Sequence, residues 1–173
     1  MMRCKIVFLT FCVLLTAAGC GYHIGVRDMM HPQIKSIAIA PVQNNTIEPL
    51  AADVLRMQLA GEFQRDGALK LKRTSNADCI IYAVINSVQN RLIDEASYDG
   101  GKIYEPDQFR LQVHVSFKVV IPGSGNALVN NGTAVGSAVY EILADPATAR
   151  ATALKYACYH AAQSIVEQTT EAW

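Results

Sequence analysis

The sequence shows no excess of either charge. Fifteen Lys and Arg residues balance fifteen Asp and Glu, so the basic surplus that usually marks a nucleic-acid surface is missing, and that class of partner is set aside. Long apolar runs are missing too. The run Ile6 to Leu15 is ten residues long, and at ~1.5 Å per helical residue it falls well short of the ~30 Å bilayer core. No later segment reaches that length without charge, so no transmembrane helix is expected. Internal repeats and low-complexity tracts are also lacking, which excludes a solenoid or coiled coil.

Catalytic patterns are equally scarce. His23, His31, His114 and His160 lie far apart in sequence, and none has the spacing of metal ligands. The stretch PGSGN (Pro122 to Asn126) lacks the Gly-x-Ser-x-Gly of a nucleophile elbow and the Gly-Lys-Ser/Thr of a phosphate loop. The expectation is a protein without catalytic activity, metal or cofactor.

What is present begins at the amino terminus. Arg3 and Lys5 form a positive head, Ile6 to Leu15 an apolar core, and Thr16-Ala17-Ala18-Gly19 a small-residue end. This is the layout of a secretory signal peptide covering residues 1–19. Cys20 follows at once, and TAAGC resembles the bacterial lipobox. That resemblance implies a diacylglycerol thioether on the Cys20 sulfur, cleavage before it, and acylation of the new amino terminus. Each buried CH₂ contributes ~0.8 kcal/mol, so several chains would hold the protein firmly to a membrane. The alternative is a plain signal peptide followed by a buried or disulfide-bonded cysteine. Without Arg3 and Lys5 the mature chain carries 13 basic and 15 acidic residues, so an anion must meet a local basic patch.

The remainder reads as one domain. Residues 20–33, with Gly21, Gly25 and Pro32, form a tether, and residues 34–173 form the fold. Half of the residues are hydrophobic and 17% are charged, as suits a packed globular domain. IKSIAIAPV (Ile34 to Val42) alternates like a strand that Pro41 ends, and QNNTIEP is a loop. From Pro49 to Asp66 the spacing of Ala51, Val54, Leu55, Leu59 and Phe63 predicts a helix, with Pro49 in its first turn and Gly67 as its stop. Arg56, Glu62 and Arg65 fall away from that stripe. Leu69 and Leu71 start a short return segment.

Asp78 to Asn90 is apolar on both alternating sets, as a central strand would be. In Phe109 to Ile121 every second residue is apolar, so this strand buries one side and wets the other. Asp99-Gly100-Gly101 is a hairpin signal between these two strands. The arm from Asp94 to Gln108 is expected to settle on docking. A fourth strand lies within Ala127 to Leu143, where Gly132 and Gly136 mark a bulge or bend. Asp145 caps a closing helix with Pro146 in its first turn, and Ala147, Ala151, Leu154, Cys158, Ala161 and Ile165 form its inner stripe. The expected class is α+β: a four-stranded, mostly antiparallel sheet with two helices on one face, in the order β-α-β-β-β-α.

CGYHIG after the lipobox, IKSIAIAPVQNNTIEP, ADCIIYAVI and the alanine-rich closing helix together resemble the lipopolysaccharide-assembly lipoprotein family, LptE. The resemblance covers nearly the whole chain through short motifs, with Asn44 or Asn45, Thr46, Glu48 and Pro49 in the family's order. It implies a protein without enzymatic activity, anchored in the inner leaflet of the outer membrane and facing the periplasm. Its partner would be an LptD-like outer-membrane β-barrel whose lumen it plugs, and together they would deliver lipopolysaccharide to the cell surface. Gly21 stands where enteric lipoproteins retained at the inner membrane carry Asp, which by analogy sends this chain to the outer membrane.

A lipopolysaccharide headgroup carries phosphates, which Arg or Lys on a rigid strand would bind. The candidates are Arg110 and Lys118 on the polar side of the clearest strand, and the cluster Lys70, Lys72 and Arg73; the bland reading is a solvated face. Cys79 and Cys158 remain in the mature chain, either bridged in an oxidising compartment or kept as two buried thiols. The rival functions are a lipoprotein that regulates a peptidoglycan synthase or supports a secretion channel, and an envelope enzyme.

Overall fold

The structure, a computed structural model, describes residues 33–98, 103–125, 127–141 and 145–170; the expected signal segment, the lipidation candidate Cys20 and the expected tether as far as residue 32 lie outside them. In chain order the elements are β1 (Ser36–Ile39), β2 (Gln43–Asn44), α1 (Ala51–Asp66), β3 (Lys70–Leu71), β4 (Cys79–Tyr98), β5 (Ile103–Val120), β6 (Ala127–Glu141) and α2 (Pro146–Thr170). The α+β class and both helices are as expected. The sheet differs: it has six strands in the path β3-β1-β4-β5-β6, with β2 added beside β4. β4, β5 and β6 form an antiparallel meander, whereas β1 pairs parallel with β3 and β4, and β2 parallel with β4. The reason is connectivity. A strand that leads through a helix to a neighbour in the same sheet returns in the same direction.

β5 follows its alternation, with Leu111, Val113, Val115, Phe117 and Val119 buried against the helices. β4 is buried on both faces only at its start, where Ile80 packs on the outer face while Cys79 and Ile81 join the main core. Ile81, Ala83 and Ile85 face the core opposite Val119, Phe117 and Val115. A register shift between Ile85 and Ser87 then leaves Asn86 as an extra residue, and Val88, Asn90 and Leu92 come opposite Val113, Leu111 and Phe109. The bulge exchanges odd for even positions. The second apolar set, Ile80, Tyr82 and Val84, precedes the bulge and lies on the outer face, where Ile80 is buried and Tyr82 is exposed; beyond the bulge Val88 turns inward.

β1 is flanked on both edges and covered on both faces. Ile37 joins the main core, while Ala38 and Ala40 pack with Ile80 and Ala77 on the opposite face. β3 and β4 lie on either side of β1, so the connection from Lys72 to Asp78 crosses β1 on that face. The alanines leave room for this strap. Beneath it the Asp78 carboxylate accepts from the Ser36 hydroxyl (2.8 Å) and the Lys35 N–H (3.0 Å).

α1 begins at Ala51 with Leu50 as its cap residue, so Pro49 precedes the first turn. Gly67 ends it in the left-handed region (φ 73°), donating to the Phe63 carbonyl. Glu62, expected outside the stripe, is buried and paired with Arg65, which donates to the Tyr159 hydroxyl (2.5 Å) and ties α1 to α2.

α2 is capped as expected: Asp145 accepts from the Ala147 and Thr148 N–H groups and the Thr148 hydroxyl. Its buried surface is wider than the predicted stripe and excludes Ala147 and Ala151. The buried residues are Ala153, Leu154, Ala157, Cys158, Ala161, Ala162, Ile165, Val166 and Thr169, because the helix packs on the sheet and on α1 together. Gly136 marks neither a bulge nor a bend. A Cβ there would lie 1.8 Å from the Ala157 carbonyl oxygen and 2.5 Å from the Ala161 nitrogen, so α2 runs against bare backbone. Gly132 sits under the Phe117 ring, opposite it in register, and the β5–β6 pairing shifts just beyond that pair.

Candidate functional site

The helices leave one sheet face open. β4 presents Tyr82 and Val84 there, β5 presents Arg110, His114, Ser116 and Lys118, and β6 presents Thr133, Val135 and Val139. At the end of this face near the β5–β6 turn is a shallow pocket of about 340 Å³, lined by Tyr82, Val84, Lys118, Asn130, Asn131 and Thr133 among others. The backbone shift after Phe117 shapes it, because two residues of β6 there oppose one of β5. The Lys118 ammonium lies 5.6 Å from the centre of the Tyr82 ring, a cation–π contact that holds the charge over the pocket. Ser116 exchanges hydrogen bonds with the Asn86 side chain at 3.1 and 3.3 Å, so the bulge residue borders the same region. His114 Nε2 is buried without a hydrogen-bond partner among the described residues.

The pocket's lining combines one cation, amide and hydroxyl groups and an apolar floor, and includes no carboxylate. Such a surface suits a ligand with an anionic or hydroxyl-rich group beside an apolar part. Of the sequence candidates, Lys118 lies in the pocket. Arg110 is on the same face but further along β5, opposite Arg91 on β4 and Val139 on β6. Lys70 is on β3, three strands from β5 (roughly 14 Å at ~4.8 Å per strand). Lys72 and Arg73 follow on the strap. The five residues therefore form two groups. Tyr82, Val84, Asn130 and Thr133 were not singled out in the sequence; the Asn-Asn-Gly-Thr run was the available signal, since it disturbs an otherwise alternating strand.

A second ordered feature lies at the other end of the core. Asn44 Oδ1 accepts from the Thr46 N–H (3.0 Å) and hydroxyl (2.7 Å), its amide donates to the Glu48 carbonyl (2.6 Å), and the Thr46 hydroxyl accepts from the Glu48 N–H (3.2 Å). Arg150 of α2 then grips the Glu48 carboxylate with two bonds of 2.8 and 2.6 Å, which lowers the Glu48 pKa. The Asn-Thr-Glu series thus has a structural role, locking the loop and fastening it to α2.

Cys79 and Cys158 are both free and buried. Burial pushes each thiol up to about 12, so neither is a thiolate near neutrality. The described residues hold no group of three or more His, Cys, Asp or Glu that could bind a metal ion. None of their helices is long and apolar enough to cross a membrane.

This arrangement of sheet and helices is one found in bacterial lipoproteins. The chain is similar to the minor lipoprotein from Acinetobacter baumannii (16% identity, covering 80% of this chain and 94% of that chain, TM-score 0.52). It is also similar to lipoprotein B from Nitrosomonas europaea (14% identity, 80% and 84%, TM-score 0.51). A third is a single-residue variant of the PelC dodecamer from Paraburkholderia phytofirmans (13% identity, 79% and 88%, TM-score 0.51). At these identities the likeness shows a common fold. No protein-family model and no curated protein matches the chain.

Proposed function

We propose that this chain is an outer-membrane lipoprotein, anchored through Cys20 and facing the periplasm, that partners a β-barrel in lipopolysaccharide assembly. The observation that carries the reading is Cys20-Gly21-Tyr22 directly after a lipobox-like TAAG, in front of a fold found in bacterial lipoproteins. The open-face pocket supports the glycolipid part, because Lys118 with its amide and hydroxyl neighbours supplies donors for a phosphorylated sugar while Tyr82 and Val84 offer apolar surface. Docking rather than turnover is the work such a surface does.

The test is purification of the wild-type protein from detergent-solubilised envelopes, with labelled palmitate in the medium. Palmitate on wild type but not on Cys20→Ala, together with recovery of a large outer-membrane barrel, supports the proposal. Recovery of a peptidoglycan synthase in place of a barrel, or a protein free of lipid, refutes it. A second reading is a lipoprotein that supports a secretion channel as an assembly of several copies, and one protein of similar fold is a dodecamer. A large homo-oligomer in the same preparation would favour it.

A further inference from the structure

The fold gives the domain two poles. β1, β3 and β4 run parallel, and all three begin at the end where the tether enters at residue 33. Around that entry are the exposed residues Lys35, Lys70, Lys72 and Arg73. The backbone holds them together: the Lys70 N–H donates to the Lys35 carbonyl and the Lys72 N–H to the Ile37 carbonyl, both at 3.0 Å. The nearby Asp78 carboxylate offsets one of these charges. It is turned inward to the Ser36 hydroxyl and the Lys35 N–H.

At the other pole, β4 and β5 continue past the rest of the sheet. Among the described residues, Glu95 to Tyr98 pairs only with Ile103 to Pro106, as a two-stranded ribbon; residues 99–102 between them lie outside the described residues. β4 is 20 residues long, so its far end is roughly 60 Å from its start at ~3.3 Å per residue. Between Asp94 and Asp107 the sequence carries five acidic residues and one basic residue. The charge of the domain is therefore divided along its length, basic at the tether and acidic at the ribbon.

We propose that the basic edge at the tether pole is the side of the domain that rests on anionic phospholipid headgroups. The inference builds on the reading of Cys20 as the lipid anchor, and it adds an orientation. The chain between Cys20 and Gln33 spans at most roughly 45 Å when extended, so the edge that follows it is always within reach of the bilayer. Attraction to an anionic surface acts within a Debye length of ~8 Å and contributes about fivefold in affinity per Lys or Arg. An edge of this kind, held beside the surface by its own tether, seats the domain upright. The acidic ribbon is repelled by the same surface and points away from it.

The test uses the full mature chain with Cys20→Ser, so that lipid insertion cannot mask the electrostatics. It is sedimented with vesicles of phosphatidylcholine alone, phosphatidylcholine with phosphatidylglycerol, or phosphatidylcholine with lipopolysaccharide. Phosphatidylglycerol-dependent binding that salt suppresses is expected. The triple variant Lys70→Gln, Lys72→Gln, Arg73→Gln loses about a hundredfold in affinity. The control Arg56→Gln, Lys155→Gln, with charges removed from the helices, retains it. Equal binding to all vesicles, equal loss in both variants, or binding confined to lipopolysaccharide vesicles overturns the proposal. Intact mass of the wild-type protein separates the two readings: a lipidated Cys20 with indifferent vesicles sinks the surface alone, and an unlipidated Cys20 sinks the anchor.

Discussion

Replacing Gly136 by alanine adds one methyl group at a place where there is no room for it. The new carbon would lie 1.8 Å from the Ala157 oxygen, about 1.6 Å short of the 3.4 Å of ordinary contact, and 2.5 Å from the Ala161 nitrogen. Both are main-chain atoms of α2, so no side-chain rotation relieves the clash; the helix or the strand must move. Overpacking costs ~1–3 kcal/mol, and a backbone shift puts this case at the upper end. Removing a strand glycine returns only ~0.5–1 kcal/mol. A net loss of about 2–3 kcal/mol is a large part of the ~5–15 kcal/mol that holds such domains folded. At ~2–4 °C per kcal/mol, the melting temperature should fall by about 4–12 °C.

Two companion variants make the reasoning specific. Gly132→Ala meets only the tip of the Phe117 ring, which can swing, and should cost about 1 kcal/mol. Gly61→Ala lies in α1 with nothing within 4 Å and should stabilise by ~1 kcal/mol. Thermal and urea unfolding of the purified mature proteins, followed by far-UV circular dichroism, gives all three values. A Gly136→Ala protein that melts within about 2 °C of wild type would refute the close approach of α2 to β6.

Further outcomes concern the loop lock and the thiols. The folded Glu48 carboxyl is depressed below its ordinary 4.5 by Arg150, so its contribution is present above that value and is lost as pH falls through the lower folded one. With Arg150 more than a third exposed, the pair contributes about 1 kcal/mol. Arg150→Met should therefore lower the urea midpoint near neutrality and flatten the wild-type decline in acid; an unchanged slope counts against the lock. Cys79 and Cys158 should resist a thiol reagent at mildly alkaline pH until the protein is unfolded, then react as two free thiols. Rapid labelling of the native protein would contradict their burial, and a bridge between them by mass spectrometry would contradict their being free.

What was readable in the sequence depended on whether one face or two decided a residue's identity. β5 was legible because its inner face is apolar at every second position and its outer face is wet. Gly67 and Asp145 were legible because termination and capping need only local chemistry. The phase change in β4 was not, since nothing local to Asn86 marks it as an extra residue. Ala38 and Ala40 read as the lesser half of an alternation, although their size answers to a strap some forty residues later in the chain. Gly136 looked like a weakness because its reason lies on another element. The candidate site was partly legible: Lys118 came from the exposed side of β5, but the pocket depends on the pairing of β5 with the Asn130–Thr133 stretch.

The central place of β1 has a consequence for how the molecule assembles. β4, β5 and β6 are successive hairpins, and each can close a short loop as soon as it is made. β1 must wait for partners that follow it by roughly forty residues. In a chain that emerges amino terminus first, the first strand to arrive is among the last to find its place. Until then its Ile37 and Ile39 are open to any passing strand, which makes this short segment the one whose early exposure the rest of the chain must outrun.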